Sequence, residues 1–420
     1  MPTTCVSLTK KLKETVILIE SAISTIGGSR LYFVGGFVRD RVLEKDIGDA
    51  DFVERESKDV DFVVCEMPFN SNQVSEALDA IVSALSTIPN SKVKEVGKSF
   101  GVVKATINGE EFDFAIPRMS ESKIGNGHAD FIVEMDPSAS IETDLSRRDF
   151  TMNAMALTMD LQIIDPFGGI RDIENTVIRT VGKPYDRFME DPLRILRGLQ
   201  FASRLDFSID EETFCEMKKL AGTVLTISGE RIYEEFKKAF SEVFCFSFIH
   251  MLMTTGIGNL LFGSNFYPRE VIFVPPPRRD RKDESVDIRF VAMFLFGGDY
   301  TVLKLPTRTI QMIELGRNMH SNKKEPWEYI GSLDGEFEML YFVMRERRDL
   351  FFKMERLPIT SKKLAVSGGE LMEHGLKGKE IGKAQKMFLS LIWNGKLSNK
   401  KKSLLDYLDA NINLVREVDV

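Results

Sequence analysis

Two aspartates one residue apart, Asp59-Val60-Asp61, stand where a polar stretch gives way to the apolar run Phe62-Val63-Val64. Side chains on a strand alternate with a period of two, so both carboxylates would leave one face, about 6–7 Å apart at Cα. Such a pair of hard oxygen ligands can hold one or two divalent cations, and two-metal phosphoryl transfer needs ions about 3.5–4 Å apart. The pattern alone is weak, because 63 acids in 420 positions give about nine acidic i,i+2 pairs by chance. Asp49-Ala50-Asp51 is a rival ten residues upstream; Asp59/Asp61 is preferred because an apolar strand follows it, whereas Asp51 runs into Glu54-Arg55-Glu56. Asp113, in Glu111-Phe112-Asp113-Phe114-Ala115, could add a third carboxylate from a neighbouring strand. Its face is shared with Glu111, which a solvent-exposed edge would equally explain.

Two further patterns suit a nucleotide. Gly35-Gly36 falls between a strand and a helix, where free backbone N–H groups and a helix N-terminus favour an anion. A plain tight turn would use the same residues. Asp191 and Arg194 are three apart, which on a helix puts them on one face. Cytosine and adenine both present an exocyclic amine beside a ring-nitrogen acceptor. An Asp accepts from the amine and an Arg donates to the ring nitrogen. Guanine and uracil present the opposite order and would leave buried groups unpaired, at about 1–3 kcal/mol each. Such a pair would select C and A without a template. The competing role for Asp191 is an N-cap ahead of Pro192 at the first helical position, and the two roles can coexist.

The elements that must position these groups can be read from the hydrophobic pattern. Leu8, Leu12, Val16, Ile19 and Ile23 mark an amphipathic helix over 8–26, ended by Gly27-Gly28. A strand Leu31–Val34 precedes the glycine pair, and a helix runs on through Val38 and Val42. Strands are expected at Phe62–Val64, at Val102–Ile107 and, after an Asn108-Gly109 hairpin signal, at Glu111–Ile116, with a helix over 73–88 between them. This mixed α/β unit closes near Asp165-Pro166-Phe167-Gly168-Gly169. Beyond residue 185 the spacing turns helical (Leu193, Leu196, Leu199), and Ser228 reads as an N-cap before the acids of Glu230–Glu235. Residues 264–289, with Pro275-Pro276-Pro277 and the charged run Arg278–Lys282, interrupt the helical pattern. Helices then continue to the C-terminus.

Composition sets outer bounds. The 420 residues exceed one average core; 43% hydrophobic and 28% charged residues are ordinary globular values. The longest apolar run, Phe290–Phe296, is far short of the roughly 18 residues of a membrane-spanning helix. Cys5, Cys65, Cys215 and Cys245 are widely spaced, with no CxxC pair, as suits reduced thiols of a cytoplasmic protein. No export signal is visible at the N-terminus. The net charge of −7 conceals an asymmetry: residues 351–420 carry 13 basic and 8 acidic side chains, net +5, against −12 for the first 350. A basic end can meet phosphates and an acidic front can hold metal ions.

Taken in order, Val34-Gly35-Gly36-Phe37-Val38-Arg39-Asp40, the Asp59/Asp61 pair, Arg147-Arg148-Asp149-Phe150-Thr151-Met152-Asn153-Ala154, Asp165–Gly169, Glu190-Asp191-Pro192-Leu193-Arg194 and Glu230–Glu235 resemble the class II CCA-adding enzyme and bacterial poly(A) polymerase family of polymerase-β-like nucleotidyltransferases. The resemblance spans about residues 30–240, with a weaker echo over Leu357–Lys396. It implies an α+β architecture: a catalytic head with a mixed sheet (1–175), then an all-α neck that recognises the base (176–263), body (264–345) and tail that contacts tRNA (346–420). It implies Mg²⁺ on Asp59 and Asp61, to which the strand pattern adds Asp113 as a third catalytic carboxylate. Gly35, Gly36 and Arg39 would lie on the phosphate side of the nucleotide, Arg148, Asp149 and Asn153 against its sugar and triphosphate, and Asp191, Arg194 and Arg197 in the neck. The implied activity is CCA addition to the tRNA 3′ end from CTP and ATP, with poly(A), CC- or A-adding activity and a non-catalytic RNA-binding relic as alternatives. Three features depart from the family pattern: an insertion at Glu44–Glu54, Gln200 in place of a further arginine, and no histidine followed by Asp, so that no HD-type phosphohydrolase is expected.

Overall fold

The computed structural model describes residues 8–46, 60–95, 101–123, 131–242, 245–266, 268, 289–294, 297–321, 364–393 and 396–416. The chain forms two units, Met1–Leu261 and Phe262–Val420.

The first unit opens with α1 (Lys10–Ile23), which buries Leu12, Val16, Ile19 and Ile23 as the spacing predicts. Thr9 caps it through its hydroxyl oxygen, which accepts from Leu12 N. Then come β1 (Arg30–Val34), α2 (Gly36–Asp46), β2 (Val60–Cys65), α3 (Val74–Ser86), β3 (Lys92–Glu95), β4 (Val102–Ile107) and β5 (Glu110–Ala115). An antiparallel pair, β6 (Arg118–Lys123) and β7 (Phe131–Met135), precedes α4 (Ile141–Ser146) and the short strands β8 (Ala156–Leu157) and β9 (Ile163–Ile164). Seven strands form one mixed sheet in the order β3-β4-β5-β2-β1-β8-β9, in which only β2 and β5 run parallel. The Asn108-Gly109 turn joins β4 to β5 as expected, both residues having positive φ, as a two-residue hairpin of primed type requires.

Near-continuous burial of β2 reflects its central place, covered on both faces. On one face Phe33, Phe62 and Phe114 stack in sequence (4.7 and 5.1 Å between centroids), and Phe37 of α2 stacks on Phe33. On the other, Tyr32, Val34, Val63 and Cys65 pack with Ile141 and Leu145 of α4. Asp61 belongs to this second face, at the end of the strand where the apolar packing stops.

After α5 (Gly169–Glu174) and β10 (Val177–Ile178), α6 (Pro184–Glu190) and α7 (Leu193–Leu205) lead through β11 (Ser208–Ile209) to α8 (Glu211–Lys219) and α9 (Gly229–Phe240). A parallel ladder of two residues per strand, β10 with β11, breaks the expected all-helical pattern. Ser228 is the N-cap residue of α9, but its buried hydroxyl makes no cap bond. Ile232, Phe236 and Phe240 form the apolar stripe of α9, and Phe236 and Phe240 meet Phe248 edge-on.

In the second unit, Phe262, Phe266 and Phe294 cluster near the helix Thr307–Ser321. The helices Gly368–Glu373, Lys379–Trp393 and Lys401–Arg416 share a core of Leu371, Phe388, Leu404 and Leu408. The Pro/Arg-rich run 275–282 and the stretch 322–363 lie outside the described residues. Among the described residues, no helix is long and apolar enough to cross a membrane.

Candidate active site

The edge-to-edge registers align the acids. Asp61 of β2 lies opposite Asp113 of β5 on one side and opposite Val34 of β1 on the other. Residues directly opposite on adjacent strands project from the same face, with strands about 4.8 Å apart. The expectation that Asp113 comes from a neighbouring strand agrees with the fold, which in addition sets it on the face of Asp61. Asp113 accepts from Lys104 Nζ at 2.8 Å. Asp59 and the rival Asp49 and Asp51 lie outside the described residues, as does most of the 44–54 insertion.

Val34 runs directly into Gly35, whose φ of +69° turns the chain from β1 into α2. A Cβ built there would stand 3.2 Å from Arg148 Nη1 and 3.7 Å from Asp61 Oδ2. Glycine thus keeps open a gap with a guanidinium on one wall and a carboxylate on the other, in a conformation that L side chains rarely adopt. Gly36 begins α2, and Arg39 follows one turn later. Arg148 is steered by Asp144 of α4, whose Oδ2 accepts from its Nε (3.0 Å) and Nη2 (2.8 Å). Asp144 was invisible as a site residue from motif order, although its i,i+4 spacing to Arg148 is a helix-pair signal.

A buried chain of side chains braces the segment that follows. Arg39 Nη1 donates to Asn153 Oδ1 (2.9 Å), and Asn153 Nδ2 donates to Asp149 Oδ1 (3.1 Å). The other Asp149 oxygen accepts Nε (2.9 Å) and Nη2 (2.7 Å) of Arg197 from α7. Arg39, Asn153 and Asp149 are only 4%, 6% and 7% exposed. Arg39 also donates to Asp40 and lies over the Phe201 ring, as does Arg197. Burial raises the Asp149 carboxyl, but the Arg197 charge and the hydrogen bonds from Asn153 and Arg197 outweigh it and hold the group below its ordinary value. Burial draws the Arg39 guanidinium down, against the pull of Asp40. With its donors turned inward to Asp40 and Asn153, Arg39 is built to hold the 149–153 segment against α2.

The neck pair differs from the helical picture. Asp191 sits between α6 and α7 with φ −145° and ψ 104°, the extended conformation that a following proline imposes. Asp191 therefore stands just ahead of the helix that carries Arg194, whose N donates to the Asp191 carbonyl (3.0 Å). One Asp191 oxygen accepts from Leu193 N (3.1 Å), and Pro192 already has the helical φ −57° and ψ −21°, so Asp191 caps the helix ahead of Pro192 as expected. The other accepts from Arg231 of α9 at 2.7 Å. Arg194 Nη1 pairs with Glu190 Oε2 (2.8 Å), and its Nη2 donates to the Arg147 carbonyl (3.1 Å). Glu190 also receives Arg147 (3.1 Å) and Arg187 (2.9 Å). Three guanidiniums thus share one carboxylate, which ties residue 147, just after α4, to the α6–α7 junction. Glu190 carried i,i+3 and i,i+4 signals toward Arg187 and Arg194. Arg231 lies forty residues from its partner, and no spacing could have revealed it.

Among the described residues, no group of three or more acids, histidines or cysteines is gathered closely enough to hold a metal ion. The described donors that suit one are Asp61 and Asp113, hard carboxylates of the kind that magnesium takes.

Comparison with known proteins gives the following likenesses. A family described as the poly A polymerase head domain matches residues 31–179, and one described as a probable RNA- and SrmB-binding site of polymerase A matches residues 206–264. The CCA-adding enzyme of Streptococcus thermophilus is 30% identical over 407 residues, covering 91% of this chain and 93% of that protein. The crystal structure of the Bacillus stearothermophilus CCA-adding enzyme in complex with CTP superposes with a TM-score of 0.62 at 25% identity, over 97% of this chain and 99% of that one. The Thermotoga maritima CCA-adding enzyme complexed with tRNA shares the fold, with a TM-score of 0.63 at 22% identity over 96% of each chain.

Proposed function

We propose, from the premise that this chain belongs to the family of CCA-adding enzymes, that it adds CMP and AMP from CTP and ATP to the 3′ end of tRNA without a template. The observation that carries the reading is the alignment of Asp61 with Asp113 across β2 and β5, next to the Gly35 gap that faces Arg148. In this reading residues 1–175 are the catalytic head, 176–263 the neck, 264–345 the body and 346–420 the tail that meets tRNA.

Asp61 and Asp113, with Asp59 preceding them, are the residues that would hold Mg²⁺. When bound, the metal lowers the charge of the triphosphate and makes the RNA 3′-hydroxyl a better nucleophile. The chain's own groups position the reactants. Gly35 and Gly36 offer backbone N–H groups at the start of α2, and Arg148 faces the same gap and balances phosphate charge. Arg39 and Arg197 hold Asn153 and Asp149 from two sides, which fixes the 149–153 segment where the sugar would lie. At the neck, Asp191 and Arg194 would read the pairing edge of the base. Arg231 and Glu190 orient them, and each already occupies part of its partner's hydrogen-bonding capacity. Pre-orientation of this kind limits the side-chain freedom lost when the base binds.

The test is incorporation of labelled CTP and labelled ATP, fed separately and together, into a tRNA lacking its 3′ end. Incorporation of C first and then A is expected, and Asp61→Asn should abolish it while a gel shift with the same tRNA persists. Incorporation of ATP alone into long tails, or full activity of Asp61→Asn, would overturn the reading.

A further inference from the structure

The row of charged side chains continues one strand further than the roles above require. β4 and β5 pair with Lys104 opposite Asp113, and β5 and β2 pair with Asp113 opposite Asp61. An ammonium and two carboxylates therefore stand in line across the sheet, with about 5 Å between neighbours at Cα. Lys104 Nζ donates to Asp113 Oδ2 at 2.8 Å. The two-residue turn at Asn108-Gly109 fixes the register of β4 on β5, and a one-residue slip would turn the whole strand over.

Resting on the function proposed above, we propose that Lys104 is a positioning residue that holds Asp113 and sets how tightly the site takes a divalent cation. Two adjacent carboxylates repel when no cation is present, and Lys104 offsets that repulsion from the far side of Asp113. A cation bound at Asp61 that recruits Asp113 draws on the carboxylate charge that the ammonium already holds, so the Lys104 ion pair is weakened when this ligand is used. The Lys104 side chain is 54% exposed, and its head can swing into water once displaced. The cation concentration needed to fill the site is then higher than the carboxylates alone would set. Arg148, on the opposite side of Asp61, has Asp144 as its partner and does not compete for Asp113.

The experiment titrates Mn²⁺ into the full chain without RNA or nucleotide and follows free Mn²⁺ by electron paramagnetic resonance. Mg²⁺ is measured by competition. Lys104→Met should bind Mn²⁺ about threefold more tightly, the factor that corresponds to one exposed ion pair no longer having to be given up at Asp113. Lys104→Arg should keep the wild-type constant, and Asp113→Asn should weaken binding. In the Asp113→Asn background the gain from Lys104→Met should largely vanish, a dependence that a merely structural surface ion pair would not show. Equal Mn²⁺ constants for wild type and Lys104→Met, the same gain in both backgrounds, or no measurable binding by any variant would overturn the proposal. Because no RNA is present, this series can succeed while the incorporation assay fails. That combination would sink the proposed activity and leave the metal-site inference standing.

Discussion

Asp149 joins the two halves of the site, and its removal can be worked through in advance. Its carboxylate accepts four hydrogen bonds: from Phe150 N (2.8 Å) and Asn153 Nδ2 (3.1 Å) on one oxygen, and from Nε and Nη2 of Arg197 on the other. In Asp149→Asn one end of the amide must present N–H groups to donors. Keeping the oxygen toward Phe150 and Asn153 turns the amide nitrogen on Arg197. Breaking a buried ion pair from one side costs about 3–5 kcal/mol, because the remaining charge is stranded. The Arg197 side chain is 32% exposed, so water screens part of that charge and the lower bound, about 3 kcal/mol, applies. That corresponds to roughly a hundredfold in a local opening equilibrium. Hydrogen exchange read by mass spectrometry should show peptides from α7 and residues 149–153 losing protection by that order, while the helices of residues 364–416 exchange as before. The double variant Asp149→Asn/Arg197→Met should cost about 2 kcal/mol less than the sum of the single changes, since no charge is stranded. Strict additivity, or unchanged protection of α7 in Asp149→Asn, would refute the claim that this pair braces the segment.

Gly35→Ala should sharply reduce nucleotide incorporation with little change in tRNA affinity by gel shift. The new methyl group meets Arg148 Nη1 at 3.2 Å in a backbone conformation costing about 1–2 kcal/mol for an L residue, and retention of wild-type incorporation would count against the gap as the nucleotide's place. Acid should weaken the brace with a definite sign. The folded-state Asp149 value is depressed, so its stabilisation is full above the unfolded value of about 3.9 and is lost as pH falls through the lower folded value. The difference in urea midpoint between wild type and Asp149→Asn should be constant above about pH 5 and shrink on further acidification; a difference that grows in acid would contradict the assignment.

What the sequence disclosed and what it hid divide along a physical line. Continuous apolar runs disclosed β1 and β2, and period-two and period-3.6 patterns disclosed β4, β5, α1 and α3, because burial is written into consecutive residues. The β6–β7 pair was missed because Arg118–Lys123 shows no such alternation. Motif order brought Gly35, Arg148, Asp149 and Asn153 to one place correctly, but it could not say which of them touch each other. Asp149 with Arg197 and Asp191 with Arg231 are 48 and 40 residues apart, and pairs at that separation are decided by packing of the sheet and the neck helices. The local rule applied to the neck, that i,i+3 residues share a helical face, does not reach Asp191, which Pro192 holds extended so that it caps α7 rather than joining it. That limit is informative. A residue kept off the helix can turn its carboxylate toward α9 while Arg194 turns toward residue 147, so the two groups proposed to read one base are set by different parts of the chain. A change at the Asp191–Arg231 contact would then alter base choice separately from a change at the Glu190–Arg194 contact, and neither contact is encoded in the spacing of the pair itself.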